Sequence, residues 1–172
     1  MKIKKHRDLT LIDINEKQFL VISCDSLGGI GDKEHDMVKT SPEVSGYFTT
    51  QVALMELLAF GAKPITIVNT LSVEMEDTGR RIIEGIEKAL EPLDFDTSNL
   101  VTGSTEENIP VTTTGMGMTI IGIIDKNNWE KPITYPGLIA AVVGLPKVGN
   151  EVLADKGKTI MDIPKLLKLK EK

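Results

Sequence analysis

Alternating apolar and polar positions near the start of the chain predict a β-hairpin. Two short runs rich in branched apolar residues, 9–14 and 18–23, flank the polar triplet Asn15-Glu16-Lys17, as expected for two strands joined by a turn. The stretch that follows, 25–36, is polar and glycine-rich and shows no periodicity. We therefore expect a loop there, of a length typical of functional loops.

The middle of the chain predicts two helices. Ser41-Pro42-Glu43 is typical of a helix start, since serine caps, proline fits the first turn and glutamate favours the helix dipole. This helix should continue over 44–60, where the apolar surface is broad enough to be buried on most sides, and it should end at Gly61. A second helix is predicted over 78–93, with its isoleucines on one face.

The remaining patterns predict strands and short helices. Branched residues indicate a central strand over 65–73, and alternation indicates a long strand over 111–124 that bends near its glycines. Four shorter elements are also expected: strands at 100–102 and 138–143, and helices near 149–154 and 161–169. Together these elements predict an α+β fold.

Composition narrows the class of protein. The chain has 172 residues, 41% of them hydrophobic, and a net charge of −5, which argues for one domain, against disorder and against a broad nucleic-acid surface. No apolar run reaches the roughly 20 residues that span a bilayer, and no signal-peptide pattern follows the start. The single cysteine, Cys24, excludes an intrachain disulfide. We therefore expect a cytoplasmic protein that binds neither membranes nor nucleic acid.

Basic residues concentrate at both ends of this acidic chain. Lys2, Lys4, Lys5 and Arg7 lie in the first seven residues, and four lysines lie in the last eight. Either both ends are solvated and frayed, or the N-terminal run binds an anionic ligand.

The loop after the second strand carries the first candidate site. Asp25 follows an apolar strand and opens a segment whose glycines would let the backbone approach phosphate oxygens and cradle an anion. Its carboxylate suits Mg²⁺, which prefers one or two carboxylates together with phosphates, and Asp32 and Asp36 follow downstream. The alternative is a surface loop whose aspartates only form turns. The candidate phosphate-binding residues are Gly28, Gly29, Gly31 and Lys33, with Lys39 within reach.

Glu56 is the only charged residue in the apolar segment 44–60. Burying an unpaired carboxylate costs several kcal/mol, so Glu56 should face a partner, a metal ion, or solvent on a narrow polar edge. Asp8, before the first strand, and Glu106 and Glu107, after the strand at 100–102, add carboxylates that fit either a metal site or solvated turns.

Four segments occur in an order typical of one enzyme family. The loop beginning Asp25-Ser26-Leu27-Gly28-Gly29 precedes a helix that ends in Leu57-Leu58-Ala59-Phe60-Gly61-Ala62-Lys63-Pro64, and this Gly-Ala-x-Pro junction is the most specific piece. Residues 100–105 are similar to a Gly-Gly-Asp/Glu-Thr motif, and residues 136–144 to a Pro-Gly-Asp strand. The chain thus resembles the aminoimidazole ribonucleotide (AIR) synthetase superfamily, which includes thiamine-monophosphate kinase and selenophosphate synthetase.

The resemblance implies an enzyme that uses ATP and Mg²⁺ to transfer or activate phosphate. It also implies a mixed four-stranded sheet with helices on one face, and a homodimer in which two sheets form a barrel-like core with ATP in the cleft. Residues 1–146 would form the amino-terminal domain, and residues 147–172 a linker-like helical tail in place of the family's carboxy-terminal domain. The sheet itself also argues for a dimer, because strands apolar on both sides need a cover that helices on one face cannot supply.

The resemblance assigns metal binding by position to Asp8, Asp25 and Glu56, the last being one methylene longer than the family's aspartate. Ser104 stands where the family often has a metal-binding acid. A neighbouring glutamate, such as Glu106, would then have to substitute for that acid.

Two functions fit these expectations. The first is an ATP- and magnesium-dependent phosphotransferase acting on a small nucleoside-like or vitamin-precursor substrate, with an α-ribazole kinase as the leading candidate. The second is a non-catalytic dimeric domain of the same fold that binds a nucleotide or another ligand for regulation. The serine at position 104 and the absence of a second domain favour the second function.

Overall fold

The computed structural model describes residues 2–129 and 133–171 and consists of one large sheet, a small ladder and four α-helices in those residues. The strands are β1 (Ile3–His6), β2 (Leu9–Asp13), β3 (Gln18–Gly28), β4 (Ile30–Gly31), β5 (Val38–Lys39), β6 (Lys63–Leu71), β7 (Val101–Thr105) and β8 (Gly115–Asp125). The helices are α1 (Pro42–Phe60), α2 (Arg80–Leu90), α3 (Asn150–Asp155) and α4 (Ile163–Lys170).

The large sheet is mixed and has the spatial order β1-β2-β3-β8-β6-β7, with only β6 and β7 pairing in parallel. Its centre is the long antiparallel pair β3 and β8, which runs from Gln18 opposite Asp125 to Gly28 opposite Gly115. The prediction of four strands was therefore too low. The basic N-terminal residues form edge strand β1 instead of a frayed end, because lysines are well tolerated at an exposed sheet edge.

The two faces of the sheet differ in burial. Helix α1 packs against β3, β6 and β8, and α2 packs against α1, which confirms helices on one face. The core under these helices contains fully buried Val21, Leu54 and Ile120. The opposite face, which we call the open face, is only partly buried although its centre is apolar. That centre consists of Leu20, Ile22, Val68, Ile121 and Ile123.

Helix α1 has the predicted boundaries. It begins at Pro42, although the side chain of Ser41 makes no capping hydrogen bond. It ends at Gly61, whose φ of 101° lies in the left-handed region that glycine favours. The second helix is shorter than predicted: α2 spans Arg80–Leu90, and the backbone before it is kinked at Glu76, whose φ of −101° and ψ of 113° are not helical.

Glycines hold α1 and α2 close together. A Cβ atom on Gly46 would lie 2.1 Å from the carbonyl oxygen of Ile82, and one on Gly85 would lie 2.0 Å from that of Glu43. Both distances are far below any real contact. The two helices therefore meet backbone to backbone, which the apolar pattern alone did not reveal.

Two further predicted segments differ from the structure. Strand β3 continues through Asp25 to Gly28, so the predicted loop begins later than expected. The predicted strand over 138–143 is wrong, because these residues form no strand and Ile139 and Val142 are 94% and 86% exposed. Branched residues favour a strand only when a neighbouring strand supplies hydrogen bonds and a packed face, and in the described residues none pairs with this segment.

The C-terminal segment packs in part against the rest of the chain. Ile163, at the start of α4, is fully buried, and Leu166 and Leu167 pack against the core. Lys170 donates a hydrogen bond to the carbonyl oxygen of Leu58 near the end of α1. A positive charge at this end of a helix also interacts favourably with the helix dipole. The domain boundary at residue 146 stays a prediction.

Candidate functional site

Three separate elements bring carboxylates to one side of the sheet. Asp8 lies in the turn between β1 and β2, Asp25 lies near the end of β3, and Glu56 lies in the last half of α1. Side chains alternate along a strand, so Asp25 points to the same face as buried Ser23, beneath α1. The charges of Asp8 and Asp25 therefore act on Glu56, and metal binding by these three residues stays a prediction.

Glu56 is held by a strand residue beneath its helix. The hydroxyl of Ser23, which is fully buried, lies 2.9 Å from Oε2 of Glu56 and 2.8 Å from the carbonyl oxygen of Ala53. One hydroxyl proton serves only one acceptor at a time. Burial raises the pKa of Glu56 above its usual value, the Ser23 hydrogen bond lowers it, and the nearby charges of Asp8 and Asp25 raise it. Such a carboxylate gains from a nearby cation.

The carboxylates of Asp8, Asp25 and Glu56 suit a cation that prefers oxygen ligands and needs few of them from the protein. Within residues 2–129 and 133–171, no three histidine, cysteine, aspartate or glutamate side chains come close enough to hold a metal by themselves. Mg²⁺ characteristically takes one or two carboxylates and completes its shell with water and phosphate oxygens. Two of the three clustered carboxylates would therefore be enough, provided that a phosphate ligand is present.

A hydrogen bond and close packing join the glycine-rich segment to Thr114, just before β8. The amide of Gly29 donates to the carbonyl oxygen of Thr114 at 2.8 Å. A Cβ atom on Gly31 would lie 2.2 Å from the side-chain oxygen of Thr114, so glycine is needed there for close packing. Phosphate binding by Gly28, Gly29 and Gly31 stays a prediction, and the Gly29 amide would have to exchange its partner to contribute.

Buried Asp36 organises this segment. Its carboxylate accepts hydrogen bonds from the amide of Lys33 at 2.9 Å and from the amide and hydroxyl of Thr114, both at 2.7 Å. Asp32 is engaged as well, because Arg81 Nη1 lies 3.0 Å from its carboxylate. Both aspartates considered for Mg²⁺ therefore have structural partners.

The two candidate lysines also have partners within the chain. Lys33 Nζ lies 2.7 Å from Oε2 of Glu74. Burial raises the pKa of Glu74, but hydrogen bonds from Lys33 and Thr78 bring it below its usual value. Lys39 donates to the backbone carbonyls of Lys33 and Glu34. A phosphate-binding role for Lys33 stays a prediction and would require it to leave Glu74.

The fourth predicted metal ligand lies elsewhere on the sheet. Glu106 follows β7, which β6 and β8 separate from β3, and three strand spacings amount to roughly 14 Å. Its carboxylate accepts hydrogen bonds from Asn108. Ser104 lines a separate cavity of about 620 Å³ between β7 and α2. A role for Glu106 at the same ion as Glu56 is therefore not supported by the fold of a single chain.

A cavity opens beside the clustered carboxylates. It has a volume of about 550 Å³ and lies between the β1–β2 turn and the last turns of α1. Asp8 and Glu56 line it together with the rings of His6, Phe60 and Trp129. A cavity of this size falls in the range of small-molecule sites. Sequence reasoning missed Ser23 and these rings, because nothing in the local pattern shows that residues so distant in sequence meet.

Comparisons with known proteins agree with this architecture. Residues 6–124 match the family described as AIR synthase related protein, N-terminal domain. No curated protein matches the chain significantly. No helix in the described part of the chain is long and apolar enough to cross a membrane.

Solved structures of larger proteins match part of this chain. Thiamine monophosphate kinase from Aquifex aeolicus matches 70% of this chain and 38% of its own at 20% identity, with a TM-score of 0.51. The protein tt0281 from Thermus thermophilus matches 67% of this chain and 36% of its own at 14% identity, also with a TM-score of 0.51. Thiamine-monophosphate kinase from Stenotrophomonas maltophilia matches 72% and 37% at 22% identity, with a TM-score of 0.48. The chain therefore spans well under half the length of these proteins.

Proposed function

Since the chain belongs to the AIR synthase related family through that family's N-terminal domain, we propose that it is an ATP- and Mg²⁺-dependent phosphotransferase. Its substrate in this proposal is a small nucleoside-like or vitamin-precursor molecule, with the α-ribazole kinase type as the leading candidate. The observation that carries the proposal is the cluster of Asp8, Asp25 and Glu56, three carboxylates from separate elements, two of which, Asp8 and Glu56, line a cavity of ligand size. The fold, shared with a thiamine monophosphate kinase, supports the same class of reaction.

In this proposal Asp25 and Glu56 hold the metal ion and Ser23 positions Glu56. Bound Mg²⁺ would neutralise charge on the phosphates, which is the main requirement of phosphoryl transfer. Ser23 restricts the side chain of Glu56 through its hydrogen bond. Both side chains lie between α1 and the sheet. Asp8, from the β1–β2 turn, adds negative charge that favours a cation. The three glycines of the loop and Lys33 are the proposed contacts of the phosphates.

We also propose that two copies associate through the open face. Leu20, Ile22, Ile121 and Ile123 lie in adjacent rows of β3 and β8 and are only partly buried. A sheet that is apolar on both faces is stable when both faces are covered. A two-fold contact of this face with itself would cover it and give the barrel-like core expected from the family resemblance. The proposed location of the protein is the cytoplasm.

The second candidate function is a non-catalytic, dimeric ligand-binding domain with a regulatory role. Its support is that Lys33, Lys39 and the amide of Gly29 are engaged within the chain and that, by the family resemblance, Ser104 stands where the family often has an acid. In this candidate the nucleotide or another small ligand binds without phosphoryl transfer.

Thermal unfolding with and without ligands separates these candidates. ATP with Mg²⁺ should stabilise the protein by about 2.7 kcal/mol at 100 times the dissociation constant, and Glu56→Gln should remove most of the dependence on Mg²⁺. Formation of ADP with a nucleoside acceptor then supports the kinase. Stabilisation without ADP formation across a panel of nucleosides and vitamin precursors supports the regulatory domain, and no shift with any of these compounds contradicts both.

A further inference from the structure

Three aromatic rings from distant parts of the chain meet beside the carboxylate cluster. His6 ends β1, Phe60 ends α1 and Trp129 follows β8. Their ring centroids lie 5.2 Å apart for Phe60 and Trp129, 5.4 Å for His6 and Trp129, and 5.6 Å for His6 and Phe60. Phe19 packs edge-on against Trp129. We call His6, Phe60 and Trp129 the aromatic wall.

The aromatic wall lines a cavity and is not part of the closed core. Each of its three side chains is partly exposed, and all three line the cavity of about 550 Å³. Helix α1 covers β3 and β8, whereas β1 and β2 extend beyond it at the sheet edge. The cavity lies in this uncovered part of the helix face, which is why large apolar rings remain accessible there.

Charged side chains line the same cavity as the aromatic wall. They are Asp8 and Glu56, which we call the acidic rim, and Arg7. Arg7, which precedes Asp8, has a φ of 52°, a left-handed conformation that is unfavourable for a residue with a side chain. Such strain persists where surrounding structure fixes the backbone, and it is concentrated at functional sites. The tight turn places His6 and Asp8 on the same cavity.

We propose that the aromatic wall binds the planar heteroaromatic ring of the acceptor substrate. Ring faces stack on aromatic side chains with little dependence on ring identity. A hydroxylated arm on such a ring would reach the rim, where carboxylate oxygens accept hydrogen bonds from hydroxyl groups. The combination of a ring-binding wall and an acidic rim fits a nucleoside-like molecule better than a sugar or an aliphatic acid. This inference rests on the proposed function only for the role of that molecule as acceptor.

The single tryptophan of the chain makes the proposal directly measurable. Trp129 fluorescence should be followed during titration with adenosine and with benzimidazole ribonucleoside, in the absence of ATP and Mg²⁺. Methyl riboside serves as the control without a ring. The proposal predicts saturable quenching by both ring compounds and none by methyl riboside. Absence of quenching, or equal quenching by methyl riboside, would overturn it.

Substitutions in the aromatic wall test where the ring of the ligand binds. Phe60→Leu keeps an apolar side chain of similar size and removes one ring, so it should weaken binding of both compounds at least about fivefold. Tyr135→Leu removes an exposed ring that does not line the cavity and should leave binding unchanged. If Phe60→Leu fails to fold, His6→Leu tests the same wall. Unchanged affinity in a folded wall variant contradicts the proposal.

These ring-binding measurements do not depend on the metal site, because they are made without ATP and Mg²⁺. Ring binding without any effect of ATP and Mg²⁺ would support the aromatic wall and refute the proposed phosphotransferase. Stabilisation by ATP and Mg²⁺ without ring binding would support the proposed phosphotransferase and refute the aromatic wall as a binding site.

Discussion

Ser23 Oγ lies 2.9 Å from Oε2 of Glu56 and joins the middle of strand β3 to the last half of helix α1. Without this contact, the glutamate would be a partly buried carboxylate with two negative neighbours, Asp8 and Asp25. The same hydroxyl also contacts the carbonyl oxygen of Ala53, so the carboxylate is only partly satisfied. A carboxylate that is short of hydrogen-bond donors gains from a nearby cation.

Replacing Glu56 should stabilise the protein when metal is absent. Burial raises the pKa of Glu56, so its charged form is less favourable in the folded than in the unfolded state. The protonated Glu56 side chain therefore stabilises the fold fully below pH 4.5, the ordinary pKa of a glutamate. This stabilisation is lost as the pH rises through the raised pKa of Glu56 in the folded state. Glu56→Gln should unfold at a higher urea concentration than the wild type at pH 7 in EDTA, and the difference should shrink towards pH 4. Lower stability of Glu56→Gln at pH 7 would contradict this account.

Removing the Ser23 hydroxyl should weaken both the fold and the metal site. Ser23→Ala deletes a fully buried hydrogen-bonding group, which typically costs about 1 kcal/mol, and it frees the side chain of Glu56. Urea unfolding measures the first effect, and Mg²⁺-dependent stabilisation in the presence of ATP measures the second. Ser26→Ala, an exposed serine in the same strand, is the matched control and should change neither. Equal Mg²⁺ dependence in Ser23→Ala and the control would show that Ser23 does not position Glu56.

A side chain at Gly46 or Gly85 should disrupt the packing of α1 against α2 and destabilise the protein. A methyl group at either position would meet a backbone carbonyl at about 2 Å, so the helices must separate. Gly46→Ala and Gly85→Ala should each lower the free energy of unfolding by about 3 kcal/mol, at the upper end of overpacking effects. Gly28→Ala, where no atom lies within 4 Å, should have a much smaller effect in the same urea experiment. Similar stability of all three variants would refute the close approach.

Acid should weaken the pairing of Glu43 with Arg81. Arg81 binds both carboxylate oxygens, at 2.7 and 3.1 Å, and its hydrogen bonds hold the pKa of Glu43 at about 2, against an ordinary value of 4.5. The stabilisation is therefore present above pH 4.5 and is lost as the pH falls towards 2. Since both side chains are about one-third exposed, it should amount to no more than about 1 kcal/mol. Arg81→Gln should flatten this part of the curve of unfolding free energy against pH, and an unchanged acid slope would exclude the pair as its source.

Local signals predicted α1 well. Its start at Pro42 and its end at Gly61 follow from residue types that act within one turn, and the single charge at Glu56 marked a residue that needs a polar partner. The segment 138–143 shows the limit of such reasoning, because a strand depends on a neighbour that the local sequence does not show. The partner of Glu56 at Ser23 and the aromatic wall were hidden for the same reason. They join residues more than 30 positions apart, which meet only when α1 packs on the sheet.

The most direct test of the proposed phosphotransferase is the binding of Mn²⁺, a paramagnetic substitute for Mg²⁺, measured by electron paramagnetic resonance with a non-hydrolysable ATP analogue present. Asp25→Asn and Glu56→Gln should each weaken Mn²⁺ binding by about tenfold or more, the loss expected when a metal site is damaged. Glu84→Gln, on the exposed side of α2, should bind like the wild type. If both site variants bind Mn²⁺ and the analogue as tightly as Glu84→Gln, then Asp25 and Glu56 do not hold the ion and the central claim is contradicted.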